Sequence, residues 1–171
     1  MNRTVKLTAM LAAAGVAAAG VMLTRTGGPE TPAQAGAVSA QSAPADAPVM
    51  HVTKTPTCGC CSAWVDLARA RDWRVEVEDT PDYVGMKQAA EVPERLWACH
   101  TAKIAGYTVE GHVPFEAIRK LLDERPDIEG ISVPGMPAGS PGMGTDPDAV
   151  YDVIAYGGAA GDGAVFYTAG R

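Results

Sequence analysis

Cys58-Gly59-Cys60-Cys61 places three thiols within four residues, where a short apolar segment gives way to a helical pattern. No other stretch restricts the fold of this chain as much. Val49–Lys54 reads as a strand, closed by Pro56 and Thr57, and Thr57 is the expected helix cap. From Ser62 to Arg71 the pattern is helical, because Trp64, Leu67 and Ala68 recur at i, i+3 and i+4 on one face. Trp73-Arg74-Val75-Glu76-Val77-Glu78 alternates, as a half-buried strand does. Strand, helix and strand in so short a stretch make a βαβ unit with the thiols at its first turn.

Beyond it, Pro81–Ala90 is expected to form a short helix that Val92-Pro93 ends. Thr101–Ile104 and Tyr107–Glu110 flank Ala105-Gly106 as the arms of a hairpin. Pro114–Arg125 is a strongly amphipathic helix, with Pro114 in its first turn and Phe115, Ile118, Leu121 and Leu122 on its apolar face. Gly130–Gly144 is too rich in Pro and Gly for regular structure and reads as a loop. Tyr151–Tyr156 and Ala164–Thr168 are late strands. The order β-α-β-α-β-β-α is that of a thioredoxin-like domain. The expected class is α/β, a thioredoxin-like central sheet with flanking helices and additional C-terminal strands, over residues 49–171.

The N-terminal part has a different character. Arg3 and Lys6 precede an uncharged run from Leu7 to Leu23, so residues 1–24 read as a secretory signal peptide or an N-terminal membrane anchor. The run is long for a signal core, short for a spanning helix, and only weakly hydrophobic because of its Ala and Gly content. Residues 25–48 have almost no large apolar side chain and read as a disordered linker. With Arg3, Lys6 and Arg25 against Glu30 and Asp46, the first 48 residues carry +1 of a net charge of −6, so the remainder is acidic. Phosphate binding needs clustered Lys and Arg, which argues against a nucleic-acid partner.

Thiols at a helix N-terminus face unpaired amides and the positive end of the dipole, which favours their thiolate form. Cys58 and Cys61 have the spacing of a redox pair, but Cys60 adds a thiol that such a pair does not need. Cys99, the fourth and last cysteine, lies in the loop that would enter the third strand. In the expected topology that loop faces the C-x-x-C, so Cys58, Cys60, Cys61 and Cys99 converge. Such a set suits Zn(II), Cu(I) or a polynuclear copper–thiolate cluster. Adjacent Cys60 and Cys61 favour copper with bridging sulfurs over a single tetrahedral zinc. Disulfides are the competing reading for an exported chain, with Cys58 joined to Cys61 or Cys60 and the remaining one to Cys99. His100 is a further candidate ligand through its position beside Cys99. Met136 and Met143 are others, as thioethers in a loop that offers no core. His51 and His112 read as ordinary histidines.

With these residues in place the sequence resembles the CopG-type copper-resistance family of exported bacterial proteins. The resemblance rests on Cys58-Gly59-Cys60-Cys61, Cys99-His100-Thr101-Ala102 and Val109-Glu110-Gly111-His112-Val113-Pro114. It rests also on Val133-Pro134-Gly135-Met136-Pro137 and Gly139-Ser140-Pro141-Gly142-Met143. It implies a periplasmic protein that binds Cu(I) through Cys58, Cys60, Cys61 and Cys99, contributes to copper resistance, and works beside other periplasmic copper-handling proteins. A second reading is an enzyme, a thiol–disulfide or copper oxidoreductase that uses the Cys58/Cys61 pair. The resemblance leaves residues 145–171 without a role.

Overall fold

The structure, a computed structural model, describes residues 46–170. The expected signal or anchor over 1–24, and nearly all of the linker over 25–48, lie outside the described residues. The elements run β1 (Val49–Lys54), α1 (Gly59–Arg69), β2 (Arg74–Asp79), α2 (Tyr83–Ala89), β3 (His100–Ile104), β4 (Tyr107–Glu110), α3 (Phe115–Glu124), β5 (Gly130–Ser132), β6 (Tyr151–Tyr156) and β7 (Ala164–Ala169). They form a mixed α/β structure with one seven-stranded sheet in the order β2-β1-β3-β4-β5-β6-β7. β1 is parallel to β2, and β3 is antiparallel to both its neighbours.

Strand alternation divides the sheet into two faces. Met50 and Val52, Ala102 and Ile104, Tyr107 and Val109, and Ile131 point to one face. There they meet Trp64, Val65 and Ala68 of α1 and Phe115, Ile118 and Leu121 of α3. The Trp64 and Phe115 rings lie 5.2 Å apart and join the two helices over the sheet. The opposite face carries Thr101, Glu110 and Ser132, and α2 brings the buried Lys87 to it. A smaller apolar cluster of Ala90, Val92, Leu96 and Tyr156 completes that side.

Three local expectations change. The helix after β1 begins at Gly59 rather than Ser62, and its cap is Cys58, not Thr57. The Cys58 sulfur takes the role of a capping oxygen, accepting from the Cys61 amide at 3.3 Å. β2 is mostly exposed rather than evenly half-buried, because it is an edge strand; Val75 is its residue packed against the core. Within Gly130–Gly144, residues Gly130–Ser132 form β5, paired parallel to β4 and antiparallel to β6. Gly130 is needed there because a Cβ would lie 2.3 Å from the Thr108 carbonyl oxygen. Residues 151–169 extend the sheet by the β6–β7 hairpin. Among the described residues no helix is long and apolar enough to cross a membrane.

Candidate metal centre

The sheet register delivers Cys99 to the helix that carries the other thiols. His100 opens β3 and pairs with Lys54 at the end of β1, so the residue before it stands beside the β1–α1 turn. The sulfurs of Cys58, Cys60, Cys61 and Cys99 all lie within 4.8 Å of one another. Cys61 is fully buried, while Cys58, Cys60 and Cys99 are partly exposed, so the cluster opens to solvent on one side. Cys58 and Cys61 are joined by a disulfide, and Cys60 and Cys99 are free. The Cys60 sulfur stands 3.5 Å from that of Cys58 and 3.9 Å from that of Cys99. The structure therefore holds one bridge between the C-x-x-C positions and a neighbouring pair of thiols, rather than two bridges.

Burial pushes the Cys99 thiol up to about 12, with the neighbouring Cys60 adding to the shift and Lys87 opposing it. At neutral pH and without a metal Cys99 is thus a thiol. A soft cation bound there releases its proton.

His112, read from the sequence as an ordinary histidine, turns out to be the polar partner of Cys99. Its Nε2 is 2.8 Å from the Cys99 sulfur, and its Nδ1 is 2.7 Å from the carbonyl oxygen of Pro141. A carbonyl only accepts, so Nδ1 carries the proton and Nε2 presents a lone pair to Cys99. A metal-binding imidazole is commonly oriented in this way, its second nitrogen donating to a backbone carbonyl. Burial holds His112 below the usual histidine range and keeps it neutral. The signal for this role lay in Glu110-Gly111-His112, but only the return of the 134–144 loop shows what the ring does.

His100 is fully buried, with its ring 4.7 Å from that of Trp64 and tilted by 50° to it, and edge-on at 5.1 Å to His112. Neither of its ring nitrogens has a hydrogen-bond partner among the described residues, although buried polar atoms are almost always paired. Burial, and then the neighbouring His112, Lys87 and Lys54, hold its pKa well below the usual value. One donor atom each from Cys99, His100 and His112 fall within 4.8 Å of one another, so these residues form a second candidate ligand group that shares Cys99 with the first. An orphaned neutral imidazole and a cluster of sulfurs together fit a soft metal better than a hard one.

The loop after β5 closes over this site. Gly142 has φ +86°, and a Cβ there would lie 2.8 Å from the Cys60 carbonyl oxygen, 2.9 Å from the Trp64 amide nitrogen and 3.3 Å from His112 Nδ1. Met143, next in the chain, is half-buried. Met136 is 55% exposed, on the outer part of the loop. His51 stands elsewhere, exposed and paired with Glu76 at 3.1 Å.

Comparison with known proteins adds the family context. A family described as a protein of unknown function, DUF411, matches residues 96–143, a span holding Cys99, His100, His112 and the covering loop. Two solved structures are similar over most of the described domain. One is described as copper resistance protein copG, form 2, with 36% identity and a TM-score of 0.65 over 72% of this chain and 98% of that one. The other is form 1 of copper resistance protein copG, with 37% identity and a TM-score of 0.63 over 70% and 95% of the respective chains. None of the curated proteins matches.

Proposed function

The chain belongs to the CopG-type copper-resistance family, and from that premise we propose that it binds copper as Cu(I) through Cys58, Cys60, Cys61 and Cys99. The observation that carries this reading is the convergence of all four sulfurs within 4.8 Å, across a sequence gap that only the fold closes. His112 and His100 extend the donor set on the Cys99 side, and Met143 is the thioether nearest them in the chain. Sulfurs that bridge several ions suit adjacent Cys60 and Cys61 better than one tetrahedral ion does. In this reading β1 to α3 is a thioredoxin-like unit, supported by the strand order β2-β1-β3-β4 with β3 antiparallel to its neighbours. The setting is the periplasm, reached through the N-terminal signal or held by it as an anchor, where the protein sequesters copper alongside other copper-handling proteins.

Anaerobic titration of the fully reduced protein with Cu(I), read by a chromophoric competitor, tests the proposal. Binding of at least one copper per chain, lost in the Cys60→Ser/Cys99→Ser variant, is the expected result. Equal binding by that variant would overturn it.

The Cys58–Cys61 disulfide favours a second reading, a thiol–disulfide or copper oxidoreductase. Two electrons and two protons convert the bridge to two thiols, so reduction of the pair also completes the four-thiol site. Turnover of a disulfide substrate, or of Cu(I) to Cu(II), above the rate of a Cys58→Ser variant separates an enzyme from a binding protein.

A further inference from the structure

The face of the sheet opposite Trp64 contains a buried polar cluster that touches no thiol, yet nearly every bond in it ends on the residues flanking Cys99. Glu110, at the end of β4, is fully buried. Its Oε1 accepts the amide N–H of Ala98 at 2.6 Å, and its Oε2 accepts the Thr101 hydroxyl at 2.7 Å. One carboxylate thus grips the chain on both sides of Cys99. Lys87 of α2, also fully buried, donates to Glu110 Oε1 at 2.6 Å and to Thr101 Oγ1 at 3.0 Å. Tyr83, one turn earlier on the same helix, donates from its hydroxyl to the Ala98 carbonyl oxygen at 2.9 Å, the peptide group that leads into Cys99. The Gly111 amide holds the His100 carbonyl oxygen at 2.8 Å.

A buried ion pair is a costly way to gain stability, since desolvation offsets most of its Coulomb energy. Its hydrogen bonds here are spent on one short segment. The same carboxylate is also tied through the backbone to the copper-site side of the molecule, because Glu110 stands two residues before His112. We propose that Glu110, clamped by Lys87 and assisted by Tyr83, is the positioning group of Cys99. It fixes the thiol at the distance from Cys60 and His112 that the soft-metal site requires. α2 then has a specific task, which is to supply Tyr83 and Lys87 at i, i+4 as the outer half of this clamp. The inference rests on the copper-binding reading for its purpose, but not for its geometry.

The test uses the full-length chain, reduced and metal-free, and two readouts. The first is the rate at which iodoacetamide labels Cys99 relative to Cys60 in the same molecules, measured by peptide mass spectrometry. The second is Cu(I) affinity by competition. Lys87→Met/Glu110→Leu removes the clamp without leaving an unpaired buried charge. It should raise the Cys99:Cys60 labelling ratio and weaken Cu(I) binding, each by about tenfold or more, the scale of lost outer-sphere support. Lys87→Met/Glu110→Gln loses the Lys87 half of the clamp but keeps an acceptor for Ala98, and should fall between wild type and the Leu variant on both readouts. Tyr83→Phe removes one hydroxyl and should give a smaller shift in the same direction.

An unchanged labelling ratio in folded Lys87→Met/Glu110→Leu overturns the proposal, as does an equal loss in the Gln and Leu variants. If the Leu variant fails to fold, Tyr83→Phe decides by the same ratio. A wild-type protein that binds no Cu(I) would refute the copper reading, while the labelling ratio would still decide the clamp.

Discussion

The Nε2 atom of His112 lies 2.8 Å from the sulfur of Cys99, across thirteen residues of chain and two residues beyond the end of β4. The pair joins the thiol cluster at the head of α1 to the imidazoles at the edge of the core, so the candidate centre has mixed sulfur and nitrogen donors. His112→Ala should weaken Cu(I) binding by about 10- to 100-fold with the four cysteines intact. Competition titration of the reduced variant checks this. Unaltered affinity would make His112 a hydrogen-bond partner of the Cys99 thiol and nothing more.

The Cys58–Cys61 bridge and a four-thiolate site exclude each other. Protein purified in air, denatured and alkylated without reductant, should be labelled at Cys60 and Cys99, and at all four cysteines after reduction. Cu(I) binding should rise on reduction, because two of four sulfur donors are released. Mass spectrometry of intact protein, with parallel titrations of both forms, reads both effects.

Gly142 is the close-approach point of the covering loop. Its φ of +86° strains any other residue, and an added Cβ would meet backbone atoms of Cys60 and Trp64 that cannot swing away. Gly142→Ala should cost about 2–3 kcal/mol of stability. It should also lower copper affinity, because the loop supplies the Pro141 carbonyl that orients His112. Urea unfolding gives the first quantity and competition titration the second. Gly144, which has no atom within 4 Å of an added Cβ, is the control for backbone strain alone.

Tyr151, on β6, is pushed up to about 12 by burial first and then by Glu116 and Tyr167. The folded pKa lies above the unfolded value of 10.0, so the fold favours the protonated phenol. Its contribution is complete below pH 10 and is lost as pH rises toward 12. Urea midpoints measured between these limits should fall less steeply for Tyr151→Phe than for wild type. The same alkaline slope in both would show that Tyr151 is not a source of it.

The order of elements was legible because each carries its own periodicity. β1 and α3 fall within a residue of their expected limits, and β6 coincides with its expected span. The thiol pattern pointed to a soft metal for a chemical reason that needs no coordinates, since Cys60 exceeds what a dithiol pair uses. The start of α1 was misplaced because a cysteine sulfur capped it, and propensity does not anticipate that role for Cys58. β5 was hidden because three residues carry no readable period, and neighbours on both sides create the strand.

By itself the sequence determined the α/β order, the family resemblance and the four candidate cysteines, all properties of local composition and spacing. The expected topology also carried Cys99 to the C-x-x-C, and tertiary structure alone decided which other distant groups meet the sulfurs. Antiparallel pairing of β1 with β3 puts Cys99 beside Cys60, and the loop after β5 turns His112 toward Cys99. A lone histidine, a lone glutamate and a lone lysine carry no period and no motif strong enough to reveal a partner. His112, Glu110 and Lys87 acquire their roles from burial and from hydrogen bonds that exist only once the sheet has formed.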